Sequence, residues 1–172
     1  EFGTAPSQVV ARSVRWERDL WGLFRELRKP IIASLHGYVI GSGIEIAALC
    51  DIRIASDDCK FRMPEIALGM IPAAGGTQTI ARLVKASNAL DIILTNRLIF
   101  SEQARKIGLV DRVVAVSELT DKSKELAKAL SQMDPKVVAA AKRAVIEGSD
   151  LELKAGIQLE SRMAHILESQ KR

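Results

Sequence analysis

Residues 29–45 have the sequence KPIIASLHGYVIGSGIE, and this stretch decides the fold. Residues 31–40 are mostly apolar and β-branched, which predicts a buried strand, and residues 44–50 predict a short buried helix. The Gly-Ser-Gly turn at 41–43 joins them, and its glycines allow dihedral angles that other residues resist. The N–H groups of the first helical turn then face outward, which suits a phosphate or an oxyanion. A glycine turn needed only for tight strand–helix packing fits the same residues.

The rest of the chain predicts alternating strands and helices, followed by helices alone. Residues 8–28 predict an amphipathic helix capped by Ser7. Strands are expected at 52–55, 60–62 and 110–116, with a loop at 63–76. Thr77, Ser87 and Ser101 are expected to cap helices that end near 84, near 94 and at Gly108. Three more helices are expected at 118–133, 135–147 and 151–169, so the fold class is α/β with an all-helical C-terminal section.

Two glutamates stand out because each lies among apolar neighbours. Glu45 falls in the first turn of the helix that follows the Gly-Ser-Gly turn, and Glu65 follows Pro64 within the loop. A carboxyl group among apolar neighbours tends to keep its proton, whereas one at a helix N-terminus tends to lose it. Two glutamates in contrasting environments suit one general acid and one general base. Spacing alone leaves open whether the two side chains meet.

Composition limits the classes of protein to which the chain can belong. Its 172 residues suit one domain, and 48% hydrophobic residues against 27% charged residues exclude a disordered chain. Aromatic residues are only 4%, too few for the stacking surfaces of single-strand nucleic-acid binders. The net charge of +4 is spread along the chain, so no nucleic-acid partner is expected. No apolar run approaches the roughly 18 to 20 residues of a membrane helix, and no membrane association is expected.

The cysteines, His36 and the N-terminal residues indicate which bound groups and which cellular location to expect. Two cysteines in a chain of this length exclude a disulfide scaffold, and we expect Cys50 and Cys59 to be reduced, buried and inert. His36 lies alone in an apolar run, which favours a core or strand-end histidine over a catalytic one. Metal-ligand spacing is lacking, so no metal site is expected. The first residues do not form a secretory signal, and the cytoplasm is the expected location.

Several ordered motifs make the chain resemble the enoyl-CoA hydratase/isomerase (crotonase) superfamily. Residues 29–45 match the Lys-Pro strand and the G-G-G-x-E turn of that family, and residues 50–55 match its C-D-hydrophobic strand. Residues 61–69 match F-x-x-P-E-x-x-x-G, residues 71–78 match I-P-x-x-G-G-T-Q, and residues 104–110 match A-x-x-x-G-L-V. The resemblance implies a spiral of ββα units with a C-terminal helical section.

The resemblance also implies a substrate and an assembly. The substrates of the superfamily are acyl-CoA thioesters, so coenzyme A enters as part of the substrate and no separate cofactor is expected. Its members assemble as homotrimers or as hexamers of paired trimers. We therefore expect a partial ββα core at 1–116 and a helical trimerisation section at 117–172.

The same resemblance assigns roles to particular residues. Two backbone N–H groups stabilise the thioester enolate in this family, and one of them corresponds to Ser42, where the family has glycine. Glu45 and Glu65 match the two glutamates with which the hydratases act on water and on the substrate α-carbon; the isomerases commonly keep only the second. Four further positions match residues that line the acyl and pantetheine path: Tyr38, Ile40, Gly41 and Pro64.

The first ββα units of the family have no counterpart in residues 1–28. Those units carry the second oxyanion donor and much of the adenine pocket, so we expect roughly the first third of a typical member to be missing. Residues 1–4 lack an initiator methionine, which fits either a cloning scar or a chain that begins partway through a longer protein. Three functions stay open: an enoyl-CoA hydratase, supported by the glutamate pair; an enoyl-CoA isomerase; and a catalytically incomplete fragment that binds acyl-CoA or serves assembly.

Overall fold

A computed structural model of the chain describes residues 17 and 19–169. Strands and helices are interspersed up to residue 114, and only helices follow. The strands are β1 (Ile32–Leu35), β2 (Tyr38–Ile40), β3 (Ile52–Ser56), β4 (Lys60–Arg62), β5 (Ile99–Phe100) and β6 (Arg112–Val114). The helices are α1 (Leu20–Glu26), α2 (Ser42–Leu49), α3 (Gly76–Val84), α4 (Ala86–Thr95), α5 (Ser101–Ile107), α6 (Leu119–Ser131), α7 (Pro135–Gly148) and α8 (Leu153–Ser169). A 3₁₀ turn covers Ile66–Leu68. The predicted α/β class and helical C-terminal section are confirmed.

Two sheets organise the strands of the described residues. One sheet has the order β1-β3-β6 and is parallel. The other has the order β2-β4-β5, in which β2 and β4 are parallel while β4 and β5 are antiparallel. The first four strands therefore alternate between the sheets, and a helix follows each of these two strand pairs. This is the spiral of ββα units that the sequence motifs imply.

The apolar run at 31–40 forms two strands, so the prediction of a single strand is wrong. β1 and β2 belong to different sheets, and the chain turns between them at Gly37, whose φ of +60° favours glycine. His36 is exposed next to this turn and lies outside the core. Composition hides the break because Leu35 on one side and Val39 on the other both pack against the core.

Three helices begin one or two residues earlier than their predicted caps imply. α3 and α4 each start ahead of Thr77 and Ser87, directly after a residue with positive φ. Ser101 is the first residue of α5 rather than its cap, and its hydroxyl donates to the Asp57 carbonyl oxygen at 2.8 Å. The predicted helix ends are correct to within one residue. At α3 and α4 the positive φ of the preceding residue, which local composition signals poorly, marks the helix start.

The predicted N-terminal helix is described only in part. α1 covers Leu20–Glu26, while its predicted cap Ser7 lies outside the described residues. Asp19 caps α1 by accepting a hydrogen bond from the Gly22 N–H at 2.9 Å.

None of the described helices is both long and apolar enough to cross a membrane.

The core lies between the two sheets and the helices that follow them. Phe61, Ile80 and Ile99, from β4, α3 and β5, are each at most 1% exposed and pack in one cluster. Cys50 and Cys59 are buried free thiols, as expected. Burial raises the pKa of both thiols, which keeps them protonated and unreactive at neutral pH.

A largely buried ion pair fastens α7 to this core. Lys142 Nζ lies 2.7 Å from Asp51 Oδ2 and also donates to the Lys29 carbonyl oxygen at 3.0 Å. The same aspartate oxygen accepts the Ile31 N–H at 2.6 Å. The two charged side chains are 9% and 18% exposed, so solvent screens their attraction weakly. Because Asp51 follows the C-terminal end of α2, the pair ties the helical section to the helix that carries Glu45.

Candidate active site

The Gly-Ser-Gly turn is the point from which the candidate site is built. Gly41 has φ of +53° and ψ of −118°, a conformation that side chains disfavour, and its N–H donates to the Arg62 carbonyl oxygen at 2.9 Å. α2 begins at the next residue, so Ser42 and Gly43 occupy its first turn, where N–H groups have no acceptor within the helix. Ser42 is exposed. The predicted strand–turn–helix arrangement is confirmed.

Glu45 lies in that first turn and is held by the loop before α3. Its side chain is 2% exposed. One carboxyl oxygen, Oε1, accepts the N–H groups of Ala74 at 2.9 Å and Gly76 at 3.0 Å. Both donors suit a carboxylate, which only accepts hydrogen bonds. Oε1 is thus fixed by two bonds, and no hydrogen bond within the described residues engages Oε2.

Glu65 lies in a less satisfied environment. Its carbonyl oxygen accepts the N–H groups of Leu68 and Met70 at 3.0 and 2.9 Å, which folds the following residues into the 3₁₀ turn. Its side-chain oxygen Oε2 is buried and has no hydrogen-bond partner in the described part of the chain. Burial raises the pKa of Glu65 above the ordinary glutamate value, and the charge of Glu45 raises it further, while a hydrogen bond from its own backbone lowers it in part.

The structure brings the two glutamates together at the N-terminus of α2. A Cβ atom added to Gly41 would lie 2.7 Å from Glu65 Oε1, so that carboxyl group packs directly against the glycine. Glu45 belongs to the same helical turn, and its N–H donates to the Gly41 carbonyl oxygen at 3.2 Å. The influence of Glu45 on the pKa of Glu65 agrees with this proximity. The two side chains therefore lie in the same neighbourhood, near enough for the charge of Glu45 to act on Glu65.

The four residues expected to line a substrate path divide into two groups. Gly41 and Pro64 lie beside the glutamates, since a Cβ atom on the glycine would be 3.8 Å from the proline Cδ. Tyr38 and Ile40 share one face of β2 and are 71% and 37% exposed, whereas Val39 faces the core. Lys60 Nζ lies 4.9 Å from the centre of the Tyr38 ring. The first group is therefore part of the glutamate cluster, and the second lies on the exposed face of the strand leading to it.

Sequence reasoning did not identify the two backbone donors that hold Glu45. Ala74 and Gly76 fall within the I-P-x-x-G-G-T-Q stretch, whose doubled glycine is the only local signal of a close approach. A Cβ atom on Gly76 would lie 2.7 Å from Glu45 Oε1 and 3.0 Å from Pro72 Cβ. The absence of a side chain at this position therefore makes room for the glutamate.

Comparison with known proteins agrees with this geometry. The enoyl-CoA hydratase/isomerase family matches residues 8–172. The chain belongs to this family. The short-chain-enoyl-CoA hydratase of Clostridium acetobutylicum is 41% identical over 135 residues, which are 78% of this chain and 52% of the relative. The 2,3-dehydroadipyl-CoA hydratase of Escherichia coli is 35% identical over 149 residues, 87% of this chain and 58% of the relative. The chain thus spans a little over half the length of these family members.

Solved structures of family members have the same fold. The enoyl-CoA hydratase of Bacillus anthracis aligns with a TM-score of 0.89 and 33% identity, over 96% of this chain and 64% of that one. A Thermobifida fusca protein assigned as an enoyl-CoA hydratase, in complex with acetoacetyl-CoA, aligns with a TM-score of 0.86 and 27% identity, over 94% and 64%. The crotonase-like fold expected from the motifs is confirmed.

Gly76→Ala is expected to destabilise the fold by about 1–3 kcal/mol, because the added methyl group overlaps the buried Glu45 carboxyl group and Pro72. Chemical denaturation measures the free energy of unfolding. Gly148→Ala is the matched control, since its Cβ atom would meet nothing closer than 3.9 Å and alanine favours helix by up to about 1 kcal/mol. Equal effects of the two substitutions would show that the Glu45 carboxyl group does not need position 76 to lack a side chain.

Glu65→Gln is expected to raise the free energy of unfolding at neutral pH, since an amide removes the cost of burying a charge. A carboxyl group with a raised pKa binds its proton more tightly in the folded chain than in the unfolded one. Its contribution to stability is therefore lost as the pH rises from the ordinary value of 4.5 through the raised value. The gain from the substitution should be large above this window and vanish below it.

Urea denaturation of both proteins across that pH range measures the difference, with the exposed Glu118→Gln as the control. A gain that does not change with pH, or a loss of stability that grows with pH, would contradict the assignment of a raised pKa to Glu65.

Proposed function

We propose that the chain carries the two glutamates of an enoyl-CoA hydratase, which adds water across the double bond of a 2-enoyl-CoA thioester. The observation that carries this proposal is the placement of Glu45 and Glu65 beside the N-terminus of the same helix, in different environments. One oxygen of Glu45 accepts two backbone N–H groups, whereas Glu65 has a buried oxygen with no hydrogen-bond partner among the described residues. Family membership and relatives named as hydratases support the same reaction.

The turn at Ser42 is proposed to bind the thioester carbonyl oxygen. Addition of water pushes negative charge onto that oxygen in the transition state, so donors already aimed at it lower the barrier. The Ser42 N–H belongs to the first turn of α2, where the helix dipole adds positive potential. Serine in place of the family's glycine leaves this donor intact because the donor is main chain. The second donor of the family belongs, by the resemblance, to the ββα units that have no counterpart in residues 1–28.

The two glutamates are proposed to divide the proton transfers. Glu45, held as a hydrogen-bond acceptor, takes a proton from water while the water oxygen bonds to the β-carbon of the substrate. The π electrons of the double bond move toward the thioester and form an enolate. Glu65, whose pKa is raised by burial, delivers its proton to the α-carbon, and the thioester carbonyl is restored. Water and substrate combine without any other reactant.

The acyl-CoA substrate is proposed to approach along Tyr38, Ile40, Gly41 and Pro64. Gly41 and Pro64 flank the glutamate cluster, while the exposed face of β2 extends it outward. The acetoacetyl-CoA complex of the Thermobifida fusca protein supports a coenzyme A thioester as the ligand class. Coenzyme A would leave with the product, so it acts as part of the substrate.

Loss of the enoyl absorbance of crotonyl-CoA tests the reaction. Glu45→Gln and Glu65→Gln should each lower the hydration rate by about 10²- to 10⁴-fold, because each keeps the shape and removes a proton transfer. Glu118→Gln, an exposed glutamate outside the cluster, should leave the rate unchanged. Full activity in either cluster variant would remove that glutamate from the mechanism.

The enoyl absorbance also separates the alternatives. An isomerase would leave the absorbance of crotonyl-CoA unchanged but would create this absorbance from a 3-enoyl-CoA, and that activity would tolerate Glu45→Gln and be lost in Glu65→Gln. An acyl-CoA-binding or assembly module would bind crotonyl-CoA without consuming it, and both substitutions would leave the absorbance equally unchanged.

The helical section at 117–172 is proposed to assemble the chain into a homotrimer or a hexamer, beside a ββα core at 1–116. Val145, Leu153 and Ile157 are 71%, 81% and 54% exposed, which leaves apolar surface for a partner copy.

Light scattering at micromolar concentration is expected to give the mass of a trimer or hexamer. Leu153→Asp should lower that mass by placing a charge in the apolar surface, whereas Leu23→Asp, on α1, should not. A monomer in the unmodified chain would contradict the proposed assembly.

A further inference from the structure

A pocket lies between α6, α7 and the segment that leads into β1. Its volume is about 770 Å³, within the roughly 300–1,000 Å³ of small-molecule sites. The described residues that line it include neither of the two glutamates and no residue of the Gly-Ser-Gly turn. The pocket is therefore distinct from the candidate active site.

The floor of this pocket is aliphatic. Its apolar lining includes Pro30, Ile32, Leu130, Met133, Val138 and Ala139. No aromatic side chain is among the described lining residues, so the floor offers little for stacking against a planar ring. Branched side chains and an adaptable thioether instead suit a flexible alkyl chain.

The rim of the same pocket is basic. Arg28, Lys29 and Lys136 line it and are exposed, and none of the three forms an ion pair within the described part of the chain. No acidic residue is among the described lining residues. The neighbouring acid Asp134 is engaged elsewhere, because its carboxylate caps α7 by accepting the Lys136 backbone N–H at 2.8 Å. Three exposed, positively charged residues therefore line the pocket, with no acidic residue among its described lining.

We propose that this pocket binds a long-chain fatty acid, with the alkyl chain on the aliphatic floor and the carboxylate at the basic rim. The Arg28 guanidinium offers a planar set of donors that matches a carboxylate, and the two lysines add positive potential. An anionic head and an aliphatic tail are the two properties that this combination of floor and rim selects. The proposal goes beyond hydration, since no residue of the hydration site takes part.

Isothermal titration calorimetry of the full chain with dodecanoate, below its micelle concentration, tests the proposal. The expected dissociation constant is of the order of 10–100 μM. Hexanoate should bind at least about tenfold more weakly, because each buried methylene contributes about a fourfold gain. Dodecyltrimethylammonium, with the same tail and a cationic head, should bind at least about tenfold more weakly. Absence of dodecanoate binding, or equal binding of the ammonium compound, would overturn the proposal.

Substitutions then locate the binding. Ala139→Phe fills the floor and should weaken dodecanoate binding at least about tenfold. Lys136→Gln removes one exposed charge without altering the core, and should weaken it about two- to fivefold. Lys154→Gln, an exposed lysine on α8, and Glu65→Gln should leave it unchanged. Binding that survives both pocket variants, or that is lost in Glu65→Gln, places the fatty acid elsewhere and overturns the proposal.

A second copy of the chain is the other occupant that these experiments detect. If dodecanoate does not bind and Ala139→Phe lowers the mass measured by light scattering, the pocket is an interface between copies. That outcome would show that the fatty-acid assignment is wrong.

Discussion

A single buried carboxyl oxygen holds the site together. Glu45 Oε1 accepts the N–H groups of Ala74 and Gly76, so it joins α2 to the loop that precedes α3. Burying a carboxyl group costs free energy unless it is hydrogen-bonded, so these two donors offset the cost of burying Glu45. Gly76 must lack a side chain for the same reason, since a Cβ atom would overlap the carboxyl group. The loop from 65 to 76 is therefore fixed at its far end by the helix that carries one of the two glutamates.

The near end of that loop is fixed by the other glutamate. Glu65 packs against Gly41, whose positive φ creates the turn that opens α2. Both ends of the loop thus meet the same helical turn, and the two carboxyl groups are held close together there. Their environments differ, because two backbone N–H groups donate to Glu45, while no group in the described part of the chain donates to the buried oxygen Oε2 of Glu65. Proximity and contrast together are what hydration with one proton acceptor and one proton donor requires.

The local parts of this arrangement could be predicted from the sequence. The glycines at 41 and 43, the short apolar helix and the glutamate in its first turn are neighbours in the chain, so their pattern carries the geometry. The division of 31–40 into two strands could not be predicted, because it depends on the φ of Gly37 and on two sheets receiving one apolar run. Sheet assignment is a tertiary property that composition does not encode.

Contacts between distant segments were equally hidden. Ala74 and Gly76 reach Glu45 across 29 and 31 residues, and their donors are backbone groups that every residue except proline possesses. The ion pair of Lys142 with Asp51 spans 91 residues and joins two residue types that are usually solvated. The resemblance to the family predicted that Glu45 and Glu65 act together. The contacts that place them near each other are visible only in the fold.

The most direct test of the account is a carbon NMR titration of the Glu65 side-chain carboxyl group. The account predicts that Glu65 titrates above the ordinary glutamate value, because it is buried beside a second carboxylate. In Glu45→Gln the neighbouring charge is gone, so the pKa of Glu65 should fall part of the way back. The account would be contradicted if the pKa of Glu65 were at or below the ordinary glutamate value, or if it did not change when Glu45 is replaced. Either result would show that the two carboxyl groups do not lie near each other in different environments.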